Sequence, residues 1–218
     1  MNDNTRAAIA ELIGTFTLVF IGAGAGAIAS AGGGLVGVAL AHGFALVVIV
    51  YKWGTVSGAH VNPAVTFAVA LTGRMDWGKA VIYWIAQLVG AAIAAYMLLY
   101  ILGPDTTLGQ TTGSLTLESP VKTVLVEAVL TFFLVTAVYG TAVTGRNGNA
   151  VGIAIGYVLV MDILMGGPLT GASMNPARTF GPALAMGNFS YLWMYVAGPL
   201  LGGGVGALVY NALFVERR

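Results

Sequence analysis

Six runs of roughly 20 mostly apolar residues leave this chain one place to fold, inside a lipid bilayer. They cover about 7–29, 35–53, 78–102, 120–143, 150–167 and 191–214, and the fifth ends sharply at Gly166-Gly167-Pro168. Only 8% of the 218 residues are charged, against 58% hydrophobic, whereas a soluble domain carries about a quarter charged residues. So few charges do not solvate a surface of this size, so much of it faces lipid. The 32 glycines fit the same setting, because small residues let membrane helices approach closely. The first run holds Glu11 and is too long for the core of a cleavable leader, so it reads as a retained span.

Two further segments are helical but too short to cross. One runs from Asn62-Pro63-Ala64 to Gly73, the other from Asn175-Pro176-Ala177 to Gly187. Each opens on an asparagine cap with proline at the first helical position and closes on glycine. Such a helix is roughly 15 Å long, about half the hydrocarbon thickness. The chain also repeats itself. Glu11-Leu-Ile-Gly-Thr-Phe in the first span is matched by Glu127-Ala-Val-Leu-Thr-Phe in the fourth, and each half places its Asn-Pro-Ala between its second and third spans. With three spans per half, the second half must sit upside down. The predicted architecture is an all-α membrane protein of six spans and two re-entrant half-helices in an inverted 3+3 repeat. It forms one channel domain over 1–218, with halves about 1–103 and 118–218. Arg6, Lys52, Arg74, Lys79, Arg146, Arg217 and Arg218 fall on one side, Lys122 and Arg178 on the other. The excess of positive charge belongs inside, so both termini face the cytoplasm.

Irregular backbone at membrane depth is tolerated only where it lines a wet cavity. Ser57-Gly58-Ala59-His60-Val61 and Thr170-Gly171-Ala172-Ser173-Met174, which lead into the half-helices, are therefore expected to line one, with the carbonyls of Gly58, Ala59, His60 and Gly171 as acceptors. The half-helices enter from opposite faces and meet at their N-termini, so both positive dipole ends point at the centre. Cations are repelled there, while Asn62 and Asn175 offer N–H donors to a water oxygen. A water held this way donates outward in both directions, which breaks a proton wire. A net charge of +1 gives no pull on nucleic acid. With no cysteine and only His42 and His60, no metal site or redox chemistry is expected. No cofactor is called for, and no enzyme constellation is present.

The paired motifs Ser57-Gly58-Ala59-His60-Val61-Asn62-Pro63-Ala64-Val65-Thr66 and Gly171-Ala172-Ser173-Met174-Asn175-Pro176-Ala177-Arg178-Thr179-Phe180-Gly181-Pro182 resemble those of the aquaporin family, over nearly the whole chain. The resemblance implies a passive channel for water and small neutral solutes, assembled as a homotetramer with one pore per protomer. It also implies a four-residue selectivity filter at His42, Ile163, Ala172 and Arg178. Histidine in the second span with isoleucine in the fifth, and Ile163-Leu164-Met165-Gly166-Gly167-Pro168, are most similar to plant tonoplast aquaporins. Such a filter is wider and has one apolar wall, implying passage of ammonia, urea or hydrogen peroxide besides water. Thr179 and Ala183 stand where the glycerol-facilitator branch has an aspartate and a basic residue, which argues against a dedicated glycerol channel.

Some residues admit two readings. His42 protonation would add charge and gate flux with pH. His60 lines the inner mouth or braces its loop. Glu11 and Glu127 relay protons in a coupled transporter, with Asp162 as a third acid, or they accept hydrogen bonds from the loops. The second fits their symmetric positions, although ionisable residues within spans are functional by default. A closed, adhesive member of the family is a third alternative, opposed by the intact motifs. Asp162 is placed near the outer water interface or the pore mouth. Gly22/Gly26 and Gly198/Gly202/Gly206 are expected to bring spans together. Trp53, Trp77, Tyr83, Tyr191 and Trp193 are expected at the interfacial belt. The short termini suggest a prokaryotic plasma membrane, with a vacuolar membrane as the alternative.

Overall fold

The computed structural model describes residues 2–29, 33–145 and 148–215. Arg146, Arg217 and Arg218, three of the seven residues that set the expected orientation, lie outside them. Among the described residues, six helices are long and apolar enough to cross a membrane. They are α1 (Asp3–Ala27), α2 (Gly34–Ser57), α4 (Trp77–Leu102), α6 (Pro120–Val138, continued by a π-helical turn to Val143), α7 (Val151–Thr170) and α9 (Met194–Leu213). The half-helices are α3 (Pro63–Leu71) and α8 (Pro176–Ala185), and a short α5 (Ser114–Glu118) interrupts the long loop before α6. The chain is an all-α membrane protein with the expected inverted 3+3 arrangement.

Caps decide where most of these helices begin. Asn62 and Asn175 turn their side-chain oxygens onto the first free N–H groups of α3 and α8, each with proline next in line. Asp76 does the same for α4 and Ser119 for α6. Glycine decides where α2 and α7 stop. Gly58 (φ 88°) and Gly171 (φ 84°) take the left-handed conformation, and each amide closes back onto the carbonyl four residues earlier. The fifth span therefore does not end at Gly166-Gly167-Pro168. Helix α7 runs through Pro168 to Thr170, because a proline's lost hydrogen bond is tolerated when neighbouring helices cover it.

The two halves repeat the same packing. Helix α1 lies along α4, and α6 lies along α9 in the same way; α2 and α7 cross between the halves. Each half-helix leans on the last span of the opposite half, α3 on α9 and α8 on α4. Glycine makes the close crossings possible. A Cβ on Gly90 would collide with the carbonyl of Leu12, and one on Gly202 with that of Ala128. Gly198 and Gly206 also face α6 backbone, at Val124 and Phe132. Gly202→Ala should destabilise the protein by roughly 3 kcal/mol, since the obstacle is backbone and an overpacked core has little room to give. A thermal-unfolding midpoint in detergent equal to wild type would refute this.

The outer surface is apolar along the spans, with Tyr100, Val121, Leu125, Ile85 and Leu201 each more than half exposed. That is the lipid-facing band. Trp77 and Trp193 are exposed and Trp53 and Tyr191 partly so, in keeping with a belt. Tyr83 departs from it. It is fully buried, for a reason found in the site.

A candidate pore

The cavity follows from two loops that run in unusual backbone. In the first, Gly58, Ala59 and Val61 have positive φ; in the second, Gly171, Ala172 and Met174 do. Left-handed non-glycine residues cost of order 1 kcal/mol each and persist only where surrounding groups dictate them. Here a buried glutamate does so in each half. Glu11 Oε1 accepts from Ser57 Oγ (2.6 Å) and the His60 amide (2.9 Å), and Oε2 from the Val61 amide (2.6 Å). Glu127 Oε1 accepts from Thr170 Oγ1 (2.7 Å) and the Ser173 amide (3.0 Å), and Oε2 from the Met174 amide (2.7 Å). The two acids are wholly buried and hold corresponding atoms of the two loops.

Three further residues complete this bracing, and the sequence reading did not single out two of them. Tyr83 Oη donates to the Ser57 carbonyl at 2.7 Å, and Tyr195 Oη donates to that of Thr170. Each tyrosine thus fastens the last residue of a span. The repeat itself was the available signal: Tyr83 and Tyr195 stand two helical turns before the matched Gly90 and Gly202. Gln87 Nε2 donates to Glu11 Oε2 (2.8 Å) and Thr66 Oγ1 (2.9 Å), and Thr66 meets His60 Nδ1 at 3.1 Å. This chain of bonds has no counterpart with glutamine in the second half, where Pro199 occupies the matched position on α9.

The loops meet at the two asparagines. Asn62 Nδ2 donates to the Met174 carbonyl (2.8 Å), and Asn175 Nδ2 donates to the Val61 carbonyl (2.9 Å). Meanwhile Asn62 Oδ1 accepts from the Ala64 amide, and Asn175 Oδ1 from those of Ala177 and Arg178. Each amide nitrogen carries two hydrogens, so one remains free on each side. Both asparagines line the cavity.

That cavity holds about 550 Å³, room for about 18 waters at ~30 Å³ each. Its lining brings together Gly58, Ala59, His60, Asn62, Asn175 and Arg178 with apolar side chains, Leu46, Val50, Leu134 and Leu159 among them. Tyr51 and Asn149 stand at one mouth, joined by a 2.6 Å bond from the tyrosine hydroxyl to the Asn149 carbonyl. Among the described residues, Arg178 is the one charged side chain on the wall. Its Nε donates to His42 Nε2 at 3.3 Å and its Nη1 to the carbonyl of Gly109 in the loop after α4. His42 also lines the cavity.

Of the other sequence-selected residues, Pro63, Ala64, Pro176 and Ala177 are buried in the first turns of the half-helices and do not line the cavity. Ile163, Gly171 and Ala172 are not on the cavity wall either. Ile163 and Ala172 are buried in the core beside Gly167 and Gly166. Asp162 lies neither at an interface nor at a mouth. It is 1% exposed, off the cavity wall, and its Oδ2 has no hydrogen-bond partner among the described residues. Nor do Gly22 and Gly26 bring spans together in the way Gly202 does. Gly22 makes room for the His42 ring, and Gly26 for Gly109 of the loop.

Comparison with known proteins places this geometry. The family model described as Major intrinsic protein matches residues 1–210. The chain is similar to aquaporin TIP2-3 of Zea mays, at 44% identity over 96% of this chain and 88% of that one. It is similar also to aquaporin TIP2-1 of Arabidopsis thaliana, at 43% over 96% and 88%. Among solved structures it resembles the aquaglyceroporin from Plasmodium falciparum, with a TM-score of 0.84 over 96% of both chains. At 22% identity that likeness speaks for the fold alone.

Proposed function

We propose how solutes are chosen in a chain that belongs to the major intrinsic protein family, and is therefore a passive transmembrane water channel and not an enzyme. The observation that carries the reading is the reciprocal asparagine pair at the meeting point of the two half-helices. One hydrogen of each Nδ2 is spent on the opposite loop. The other is left to the pore, where a water accepts from both and turns its own hydrogens outward. Water files past Gly58, Ala59 and His60 while the apolar side chains of the lining offer it nothing to bind. Protons and cations are excluded by the reversal of water orientation, by the two positive helix ends and by Arg178.

The filter in this reading is His42, Ile163, Ala172 and Arg178. His42 and Arg178 face the cavity and touch each other; Ile163 and Ala172 are buried and apolar and add no polar side chain to it. A histidine drawn aside onto the arginine leaves a wide, half-apolar constriction. That supports ammonia, urea and hydrogen peroxide as further solutes. Glu11 and Glu127 have their oxygens occupied by loop donors, which supports a bracing role over proton relay. The whole chain acts as one channel unit with halves about 1–103 and 118–218. It assembles as a homotetramer through part of its apolar exterior, with both termini in the cytoplasm. The relatives named above are plant proteins, so they lend no support to a prokaryotic plasma membrane and favour the vacuolar alternative.

Stopped-flow light scattering of proteoliposomes after an osmotic step tests this. Shrinkage much faster than empty vesicles, with weak temperature dependence, is the expected result, and an ammonia or urea gradient then reads the solute range. Shrinkage no faster than lipid alone would mean a closed pore and overturn the reading.

A further inference from the structure

The His42 ring lies against α1 at Gly22, where that helix has no side chain to offer. A Cβ on Gly22 would overlap the ring at Cδ2, Nε2 and Cε1. The ring is tied in place from both ends. Its Nδ1 is 2.9 Å from the Val38 carbonyl, and because a carbonyl only accepts, Nδ1 carries the hydrogen. Nε2 is then the acceptor, and Arg178 Nε donates to it. The other branch of the arginine rests on Gly109, which is also seated on α1. Gly109 has φ +63°, and a Cβ there would strike the backbone of Ala23. One short stretch of α1 therefore backs both groups that hold Arg178.

We infer that Gly22 is a positioning residue of the pore: its missing side chain keeps open the seat in which His42 meets Arg178, and so sets which solutes pass. This rests on the filter reading of His42 and Arg178 given above. The physical consequence is directional. His42 is on the cavity wall, so a ring displaced from α1 has the lumen as its open side. Displacement narrows the pore and frees Arg178 Nε at the same time. Urea, the larger solute, loses more than water.

The experiment compares wild type, G22A, H42A and G22A/H42A in proteoliposomes, with water and urea permeabilities taken per folded protomer. G22A is expected to lower water flux by about fivefold, which corresponds to about 1 kcal/mol added to the barrier, and urea flux further, so the urea-to-water ratio falls. H42A is expected to raise that ratio. Adding G22A to H42A should change neither flux, because no ring remains to displace. An effect of G22A that is equally large in the H42A background would overturn the inference while leaving the filter reading intact, and so would unchanged flux in G22A. An unchanged ratio in H42A would strike the filter reading itself. Should G22A fail to fold, G22A/H42A is expected to restore folded protein; failure of the double variant as well would overturn the inference.

Discussion

Glu127→Ala is expected to destabilise the protein strongly. The carboxyl group is the acceptor for Thr170 Oγ1 and the amides of Ser173 and Met174, all within 3.0 Å and all buried. Alanine supplies no acceptor, and water cannot replace it without opening the core. Each donor left unsatisfied costs about 1–3 kcal/mol, so the low end for three is about 3 kcal/mol before any cavity is counted. A stability of 5–15 kcal/mol is typical of a whole domain, so this single change removes a large share of it. The midpoint of thermal unfolding in detergent should fall by roughly 10 °C, at ~2–4 °C per kcal/mol for a chain of this size. Met174, with its left-handed φ of 53°, loses the bond that holds it there, and the cap of α8 loosens with it.

Glu127→Gln separates shape from hydrogen bonding. It fills the same volume but turns an amide NH₂ toward donors, so it should fall between alanine and wild type. Glu118→Ala, on an exposed side chain, is the control and should not move the midpoint. A Glu127→Ala protein that melts within 2–3 °C of wild type would show that the loop is held by something other than this carboxyl.

The reading of the sequence went furthest where a local rule and a membrane rule coincide. The spans were legible because hydropathy and length are enough to mark a helix that must cross lipid. Helices α3 and α8 were legible because Asn-Pro at each start and glycine near each end bracket a stretch too short to cross. Misreadings came where the outcome depends on how helices are rotated against one another. Pro168 looked like a terminus, yet α7 passes it and stops at Gly171, since α5 and α6 cover that turn. Tyr83 looked interfacial because aromatic residues near span ends usually are, yet its rotation aims it inward at Ser57. Gly22 and Gly202 look alike in a sequence, and only the structure shows that one meets a histidine ring and the other a backbone carbonyl. Asp162 remains without a role here because its unpartnered oxygen faces neither the cavity nor the surface.

Arg178 carries the other large expected effect, and it separates charge from geometry. Two helix N-termini together present about one positive charge to the middle of the pore, and Arg178 adds one more on the wall. At about 5 Å from the path and an effective dielectric near 20, a unit charge is worth about 3 kcal/mol against a passing cation, or roughly a hundredfold in its rate. Arg178→Ala should therefore raise potassium or proton flux in proteoliposomes well above the lipid background. Water flux should stay within about twofold, because His42 lines the cavity and can bond to water instead. Arg178→Lys keeps the charge but not the fork that reaches His42 and Gly109 together. It should still exclude cations while urea flux falls, because the histidine is no longer drawn aside by a fixed partner. Equal leakage in the alanine and lysine variants would make hydrogen-bonded geometry the barrier. Leakage in neither would leave exclusion to the two helix ends and the asparagine pair alone.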